Sequence, residues 1–279
     1  MQAPIEPAHM LRQLIDAALA GGREALAVYG TDLRVTVKAD ATPVSDADRR
    51  SEAAILARLR RDFPGVPVVA EEAVSAGSLP QVGRRFFLVD PLDGTKEFIA
   101  RNGEFAVNVA LIEDGVPVAG VVLAPALGRL CVAADGAAWC ATAAPDCAAA
   151  GELSRIRVRR APAAPVGVAS RSHSTPETER ALAAAGVGER RSIGSSLKFC
   201  LVAEGEADFY PRLGPTMEWD TAAGDAVLRA AGGAVVTLAG APLLYGKPGG
   251  AGRRPFENPP FYAVGDAALL ARLGACEPA

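Results

Sequence analysis

Leu11, Leu14, Ile15, Ala18 and Leu19 recur at the spacing of one helical face, which predicts a helix over residues 9–29. Gly21-Gly22 is expected to kink or break it before Leu26 and Tyr29. A strand is predicted over 33–38. Ser45-Asp46-Ala47-Asp48 then resembles a capping box ahead of a second helix marked by Ile55, Leu56, Leu59 and Phe63. Two short apolar runs end in acid: Val66-Pro67-Val68-Val69-Ala70 meets Glu71-Glu72, and Phe86-Phe87-Leu88-Val89 meets Asp90. The β-rich runs 105–112 and 116–123, parted by Glu113-Asp114-Gly115, predict an antiparallel hairpin, with a third strand near 130–134.

The second half alternates strand and helix. A strand at 166–169 ends in Ser170-Arg171-Ser172-His173, and Thr175-Pro176-Glu177 supplies a cap, a first-turn proline and an acid for a helix that stops at Gly186. Gly194-Ser195-Ser196 opens a helix over 197–203 with Lys198 in its first turn, and a strand at 207–210 leads to Arg212. Glu218-Trp219-Asp220-Thr221 begins a small-residue helix over 222–231, with Asp220 expected at its N-cap. Residues 141–152 are rich in Ala and poor in pattern, so the boundary is placed there, giving an N-terminal α+β part (1–145) and a C-terminal α/β part (146–279). The expected architecture is a layered α/β sandwich: an antiparallel sheet with two helices, a mixed or largely parallel sheet with flanking helices, and a site between them.

Composition narrows the classes. With 279 residues, 50% hydrophobic and 22% charged, the chain suits a substantial core rather than disorder. A formal net charge of -3 argues against a surface that coats nucleic acid. The five cysteines are odd in number and none forms a Cys-x-x-Cys pair, so they are expected to be reduced, mostly buried thiols. No leader-like start and no apolar run of roughly 20 residues is present in this sequence, which points to the cytoplasm and no membrane span.

The stretch Asp90-Pro91-Leu92-Asp93-Gly94-Thr95 carries the chemistry. Pro91 has no amide hydrogen and is expected to end the strand ladder, Gly94 lets a ligand approach the backbone, and Thr95 opens a helix. A helix start attracts anions, and paired aspartates attract hard divalent cations. Taken alone, the stretch reads rather as an acidic turn with Asp93 as a helix cap, Asp48 as a completed cap, and Asp220 as a cap worth about 1 kcal/mol. A cluster of Glu71, Asp90 and Asp93, however, would repel itself unless cations neutralised it.

Glu71, then Asp90-Pro91-Leu92-Asp93-Gly94-Thr95, then Trp219-Asp220-Thr221-Ala222-Ala223-Gly224, in this order and separation, resembles the magnesium-dependent, lithium-sensitive phosphatase superfamily of inositol monophosphatase, fructose-1,6-bisphosphatase and the bisphosphate nucleotidases. The resemblance spans the Asp48 region to Gly233. The text Lys96-Glu97-Phe98-Ile99 with Arg101-Asn102-Gly103-Glu104-Phe105, extended by Ser170 to His173, Gly194 to Cys200 and Tyr210 to Thr216, is most similar to the 3′(2′),5′-bisphosphate nucleotidase branch. It implies one Mg²⁺ held by Glu71, Asp90 and the Leu92 carbonyl, and a second by Asp90, Asp93 and Asp220, with Glu71 and Asp48 offering a third position. It also implies that Thr95 and Asp48 orient and deprotonate a water for in-line attack, with Glu71 part of the catalytic set. The amides of Gly94 and Thr95, with Asp93 and Asp220 beside them, would receive the phosphate. Lys198 and Arg212 would pair with a second phosphate or the nucleoside, His173 would contact or stack on the base, and Ser195 would donate from its helix start. The implied substrate is adenosine 3′,5′-bisphosphate or its sulfated form. A broad inositol or sugar monophosphatase with the same metal site is the alternative, and a non-catalytic sensor would require loss of Asp48 or Thr95, both of which are present.

Overall fold

The computed structural model describes residues 7–29, 35–37, 43–170, 175–250 and 252–274. Helix α1 (Pro7–Val28) precedes an antiparallel ribbon of β1 (Val35–Val37) and β2 (Pro43–Ser45), which runs directly into α2 (Asp46–Asp62). Then come β3 (Val68–Ala70), the short α3 (Glu71–Ser75), β4 (Arg85–Asp93), the short α4 (Thr95–Ile99), β5 (Ala106–Glu113), β6 (Val116–Ala124), β7 (Arg129–Ala134), β8 (Ala137–Thr142) and β9 (Ser154–Arg155). The remainder is β10 (Val166–Ser170), α5 (Pro176–Ala184), β11 (Glu189–Ile193), α6 (Leu197–Ala203), β12 (Phe209–Arg212), α7 (Ala222–Ala230), β13 (Ala234–Thr237), β14 (Phe261–Val264) and α8 (Ala268–Arg272).

Strands β3 to β9 form one seven-stranded sheet in sequence order. Only β3 and β4 pair in parallel; the other neighbours are antiparallel. The second sheet has the order β11-β10-β12-β14-β13 and is mixed, with β10 parallel to β11 and β12 and β14 antiparallel to β12 and β13. Helices α1 and α2 cover the outer face of the first sheet, α6 and α7 lie between the sheets, and α5 and α8 cover the second, so the layered sandwich expected from the pattern is the architecture.

The apolar runs are continuous because the first sheet is buried on both faces. Alternate residues serve different cores: Phe86 and Leu88 of β4 and Ala106, Ala110 and Ile112 of β5 pack toward α6 and α7, while Phe87, Val89, Val107, Val109 and Leu111 pack toward α1 and α2. Burying each of the larger side chains stabilises the fold by about 1.5–3 kcal/mol.

Several expectations are corrected. Gly21-Gly22 does not break α1, which is continuous from Pro7 to Val28. A Cβ at Gly21 would stand 2.7 Å from Ile55 and one at Gly22 2.7 Å from Leu123, so the pair exists for close packing of α1 on α2 and on the sheet. The predicted strand at 33–38 is half of a ribbon whose second strand was hidden by its few residues. Pro91 does not end the ladder: β4 continues to Asp93 across a bulge. Cys131 and Cys140, directly opposed on β7 and β8, are joined as a disulfide, whereas Cys147 and Cys200 are buried free thiols as expected; Cys276 lies outside the described residues. An odd count says nothing about cross-strand register, which is what brings the pair together.

Candidate active site

Parallel pairing sets Ala70 of β3 beside Val89 of β4, so Glu71, which leaves β3, comes next to Asp90, which remains in β4. Glu71 is the first residue of α3. The start of that helix is held by Glu52 of α2, whose buried carboxylate accepts from the amides of Glu72 at 2.8 Å and Ala73 at 3.1 Å. Two otherwise orphaned helix-start donors are thereby satisfied.

On β4, Asp90 pairs with Asn108 but Asp93 with Ala106, so Pro91 and Leu92 together face Val107. The bulge is where a proline is tolerated, since no ladder donor is needed there. Ser51 Oγ of α2 donates to the Pro91 carbonyl at 2.8 Å, and the Leu92 amide donates to Asp90 Oδ1 at 3.0 Å. The bulge therefore aims Asp90 and Asp93 together instead of to opposite faces. Gly94 follows at φ 94°, where a Cβ would also sit 3.3 Å from the Glu104 carbonyl, and Thr95 starts α4. Asp48, the third residue of α2, is only 4% exposed, which a solvated cap would not be. Its neighbour Ala47 shares a small core with Leu92 of β4, Phe98 of α4 and Phe105, so the foot of α2 packs against the segment that carries Asp90 to Ile99.

Asp220 arrives from the second half. It is not the N-cap of α7, a position Thr221 occupies; its Oδ2 accepts from the Met217 amide at 2.8 Å. Burial, then the negative fields of Glu71, Asp93 and Asp220, hold the Asp90 carboxyl well above the usual carboxylate range. Burial and then Asp93 push Asp220 up to about 7, and burial raises Asp93, partly offset by Lys198 and by the Ser196 amide. An all-oxygen set of buried, mutually repelling carboxylates fits a hard divalent cation. Glu71, Asp90, the Leu92 carbonyl, Asp93 and Asp220 are the donors that would hold it.

Beside this acidic cluster lies a basic one. Lys198 of α6 is 4% exposed, donates to the carbonyls of Ser195 at 2.5 Å and Ile193 at 3.3 Å, and stands over the Tyr210 ring at 5.4 Å. Burial lowers its ammonium to about 8, the Asp93 carboxylate opposes this, and Arg212 lowers it further. Arg212, at the end of β12, donates through one Nη to the Pro215 carbonyl at 2.8 Å, while its buried Nε has no protein partner. Ser195, at φ 51°, turns its hydroxyl to accept from the Leu197 amide at 3.4 Å. His173 lies outside the described residues.

The pattern of the inositol monophosphatase family matches residues 6–264. The chain belongs to that family. A 3′(2′),5′-bisphosphate nucleotidase CysQ of Escherichia coli K12 is 47% identical over 254 residues, 90% of this chain and 98% of that protein. The crystal structure of CysQ from Bacteroides thetaiotaomicron, a bacterial member of the inositol monophosphatase family, superposes with a TM-score of 0.74 at 39% identity, over 92% of this chain and 97% of that one. A histidinol-phosphatase of Mycobacterium tuberculosis is 40% identical over 220 residues, 75% of this chain and 79% of that protein.

In this family member the structure also brings in Asn108, which the sequence pattern did not single out, and gives partners to Ser196 and Glu104. Asn108 extends Nδ2 to 3.5 Å from Asp93 Oδ2 and accepts from Ser196 Oγ at 2.7 Å, and the Ser196 amide donates to Asp93 as well. Glu104 Oε2 accepts from the Gly194 amide at 2.8 Å, tying the loop before α6 to the segment after α4. Asn108 carried a usable signal: it is the one polar residue inside the apolar run 105–112 beyond its ends, and a buried amide needs partners. Glu52 did too, lying one turn before Ile55 on the apolar face of α2.

Proposed function

We propose that this inositol monophosphatase family member hydrolyses the 3′-phosphate of adenosine 3′,5′-bisphosphate to AMP and phosphate, and acts also on the 5′-phosphosulfate analogue. The observation that carries the reading is the pairing of two unlike clusters, the carboxylates of Glu71, Asp90, Asp93 and Asp220 and the cations Lys198 and Arg212, the latter with an unpartnered buried Nε. A substrate with two separated phosphates matches both. The 47% identity to a bisphosphate nucleotidase supports the same choice.

Mg²⁺ ions, when bound by Glu71, Asp90, the Leu92 carbonyl, Asp93 and Asp220, with Asp48 and Glu71 as a further position, would supply positive charge that favours the anionic transition state, and Li⁺ competing for one of these positions would inhibit. Thr95 Oγ orients the attacking water, and Asp48, at the foot of α2, accepts the proton through it. The amides of Gly94 and Thr95 donate to the phosphate oxygens as charge spreads over them. Lys198 and Arg212 hold the 5′-phosphate, Ser195 donates beside them, and His173 contacts the base.

Phosphate release would be measured side by side from adenosine 3′,5′-bisphosphate, inositol 1-phosphate and histidinol phosphate, with Mg²⁺ and with EDTA. Preference for the bisphosphate, giving AMP as the product and none with EDTA, is the expected result. Preference for either monophosphate would discard the roles of Lys198 and Arg212 and leave the acidic cluster in place.

A further inference from the structure

On the far side of α6 from Asp93, three potential ligands converge. Cys131 of β7 is fully buried and Cys140 of β8 partly so; they are directly opposed, with Cα atoms 4.3 Å apart. Their sulfurs lie 3.1 Å and 3.0 Å from one oxygen, Glu204 Oε1, and all three ligand atoms fall within 4.8 Å of one another. Glu204 is the C-cap of α6 and is oriented by Arg129, whose Nη2 lies 2.7 Å from Glu204 Oε2 and 2.9 Å from Glu206.

A disulfide has no proton to offer, so in the oxidised pair the Glu204 oxygen faces sulfur lone pairs across a partly buried gap. The reduced pair is different, because each thiol donates to that oxygen, or loses its proton to a cation placed between them. Two thiolates and the Glu204 carboxylate are offset by one divalent ion and, in part, by the Arg129 guanidinium, which Glu206 shares. Thiolates select thiophilic d¹⁰ ions over Mg²⁺. A carboxylate held by an arginine is the outer support that such ligands commonly have.

We propose that the reduced Cys131 and Cys140, with Glu204, form a three-ligand site for a thiophilic divalent cation of the Zn²⁺ class, separate from the oxygen site at Asp90. Binding forms two metal–sulfur bonds and one metal–oxygen bond, releases two thiol protons to solvent, and transfers no electrons; water takes the fourth position. With metal–sulfur bonds of about 2.3 Å, side-chain rotation parts the sulfurs to about 3.8 Å. The site and the disulfide exclude one another, since both use the same sulfur electrons. The half-buried Cys140 is the side from which the ion enters.

The test titrates Cd²⁺ into the full-length, fully reduced chain and reads the thiolate-to-metal charge-transfer absorption, which the carboxylates at Asp90 cannot give, together with protons released into weak buffer. One tight equivalent showing the band, with two protons released, is expected. Cys140→Ser should lower the affinity of the absorbing site at least about a hundredfold, Glu204→Gln by about ten- to a hundredfold, and Cys200→Ser should leave it unchanged. Protein oxidised to the disulfide should show no band. Should Cys131→Ser fail to fold, Cys140→Ser decides alone. Absence of the band in reduced wild type, its survival in Cys140→Ser, its dependence on Cys200, or an affinity indifferent to Glu204→Gln would each overturn the proposal.

Discussion

Lys198 and Arg212 show how much a single residue's surroundings decide. A surface lysine exchanges partners with water; Lys198 is buried, its ammonium lowered to about 8, with two carbonyls and an aromatic face for company. Asp93 offsets part of the cost of holding a charge there, and a bound phosphate would offset more. Lys198→Met, which keeps the volume, should therefore lower kcat/KM for adenosine 3′,5′-bisphosphate about ten- to a hundredfold, the loss of a charge-assisted hydrogen bond of about 1.5–3 kcal/mol. Activity on a small monophosphate should change little. Steady-state kinetics on both substrates checks it, and equal losses on the two would assign Lys198 to the fold rather than to the second phosphate. The same group sets a pH dependence. Its protonated form binds the anion and burial lowers its ammonium to about 8, so binding should weaken as pH rises through that region. The ratio of kcat/KM for bisphosphate to that for monophosphate should fall between pH 7 and 9, with the common acidic cluster cancelling; in Lys198→Arg, which stays charged, the ratio should be flat.

At the scale of elements, the short helices α3 and α4 each begin at the carboxyl end of a sheet strand, with Glu71 and Thr95 as their first residues. Five residues cannot sustain a helix by propensity alone, so α3 depends on Glu52 closing its first turn. Glu52→Ala would leave the Glu72 and Ala73 amides unpaired, costing about 1–3 kcal/mol, and would loosen Glu71. A lower melting temperature together with a raised Mg²⁺ concentration for half-maximal activity is expected, with Glu52→Gln intermediate; a lower melting temperature with unchanged Mg²⁺ dependence would limit Glu52 to stability. Elements of this kind also explain what the sequence made legible. The strands that end in acid, the hairpin of β5 and β6, and the Thr175-Pro176 helix start carry local patterns, and Thr175 Oγ indeed accepts from the Thr178 amide at 3.3 Å. Ribbons of two or three residues such as β1, β2 and β9 have too few positions to display a period. The bulge at Pro91, the closure by Glu52 and the pairing of Cys131 with Cys140 arise from register between strands or helices distant in sequence, which no window along the chain contains. Asp220 was legible as an acid at a helix start, but the cap expected of it falls to Thr221, whose conformation no local pattern gives.

At the scale of the whole molecule, the sandwich closes around a cluster that works against it. The two sheets bury Asp90 to 1% exposure, with Glu71, Asp93 and Asp220 near enough for each to raise its carboxyl. Without cations, that repulsion is carried by the packing of both halves, since Asp220 comes from one and Asp90 from the other. Function and metal-free stability should therefore pull in opposite directions. Asp90→Asn removes one charge and keeps the shape, so in EDTA its melting temperature should exceed that of wild type, by roughly 2–4 °C for each kcal/mol of repulsion relieved. Phosphatase activity should fall to background. With Mg²⁺ in hundredfold excess over its dissociation constant, wild type gains about 2.7 kcal/mol by mass action, whereas the variant, with a weakened site, gains less. The order of melting temperatures should thus reverse between EDTA and saturating Mg²⁺. Calorimetry of the two proteins under the two conditions gives the answer: a variant less stable than wild type in EDTA would mean that Asp90 is held by hydrogen bonds, such as that from the Leu92 amide, more than it is repelled by its neighbours.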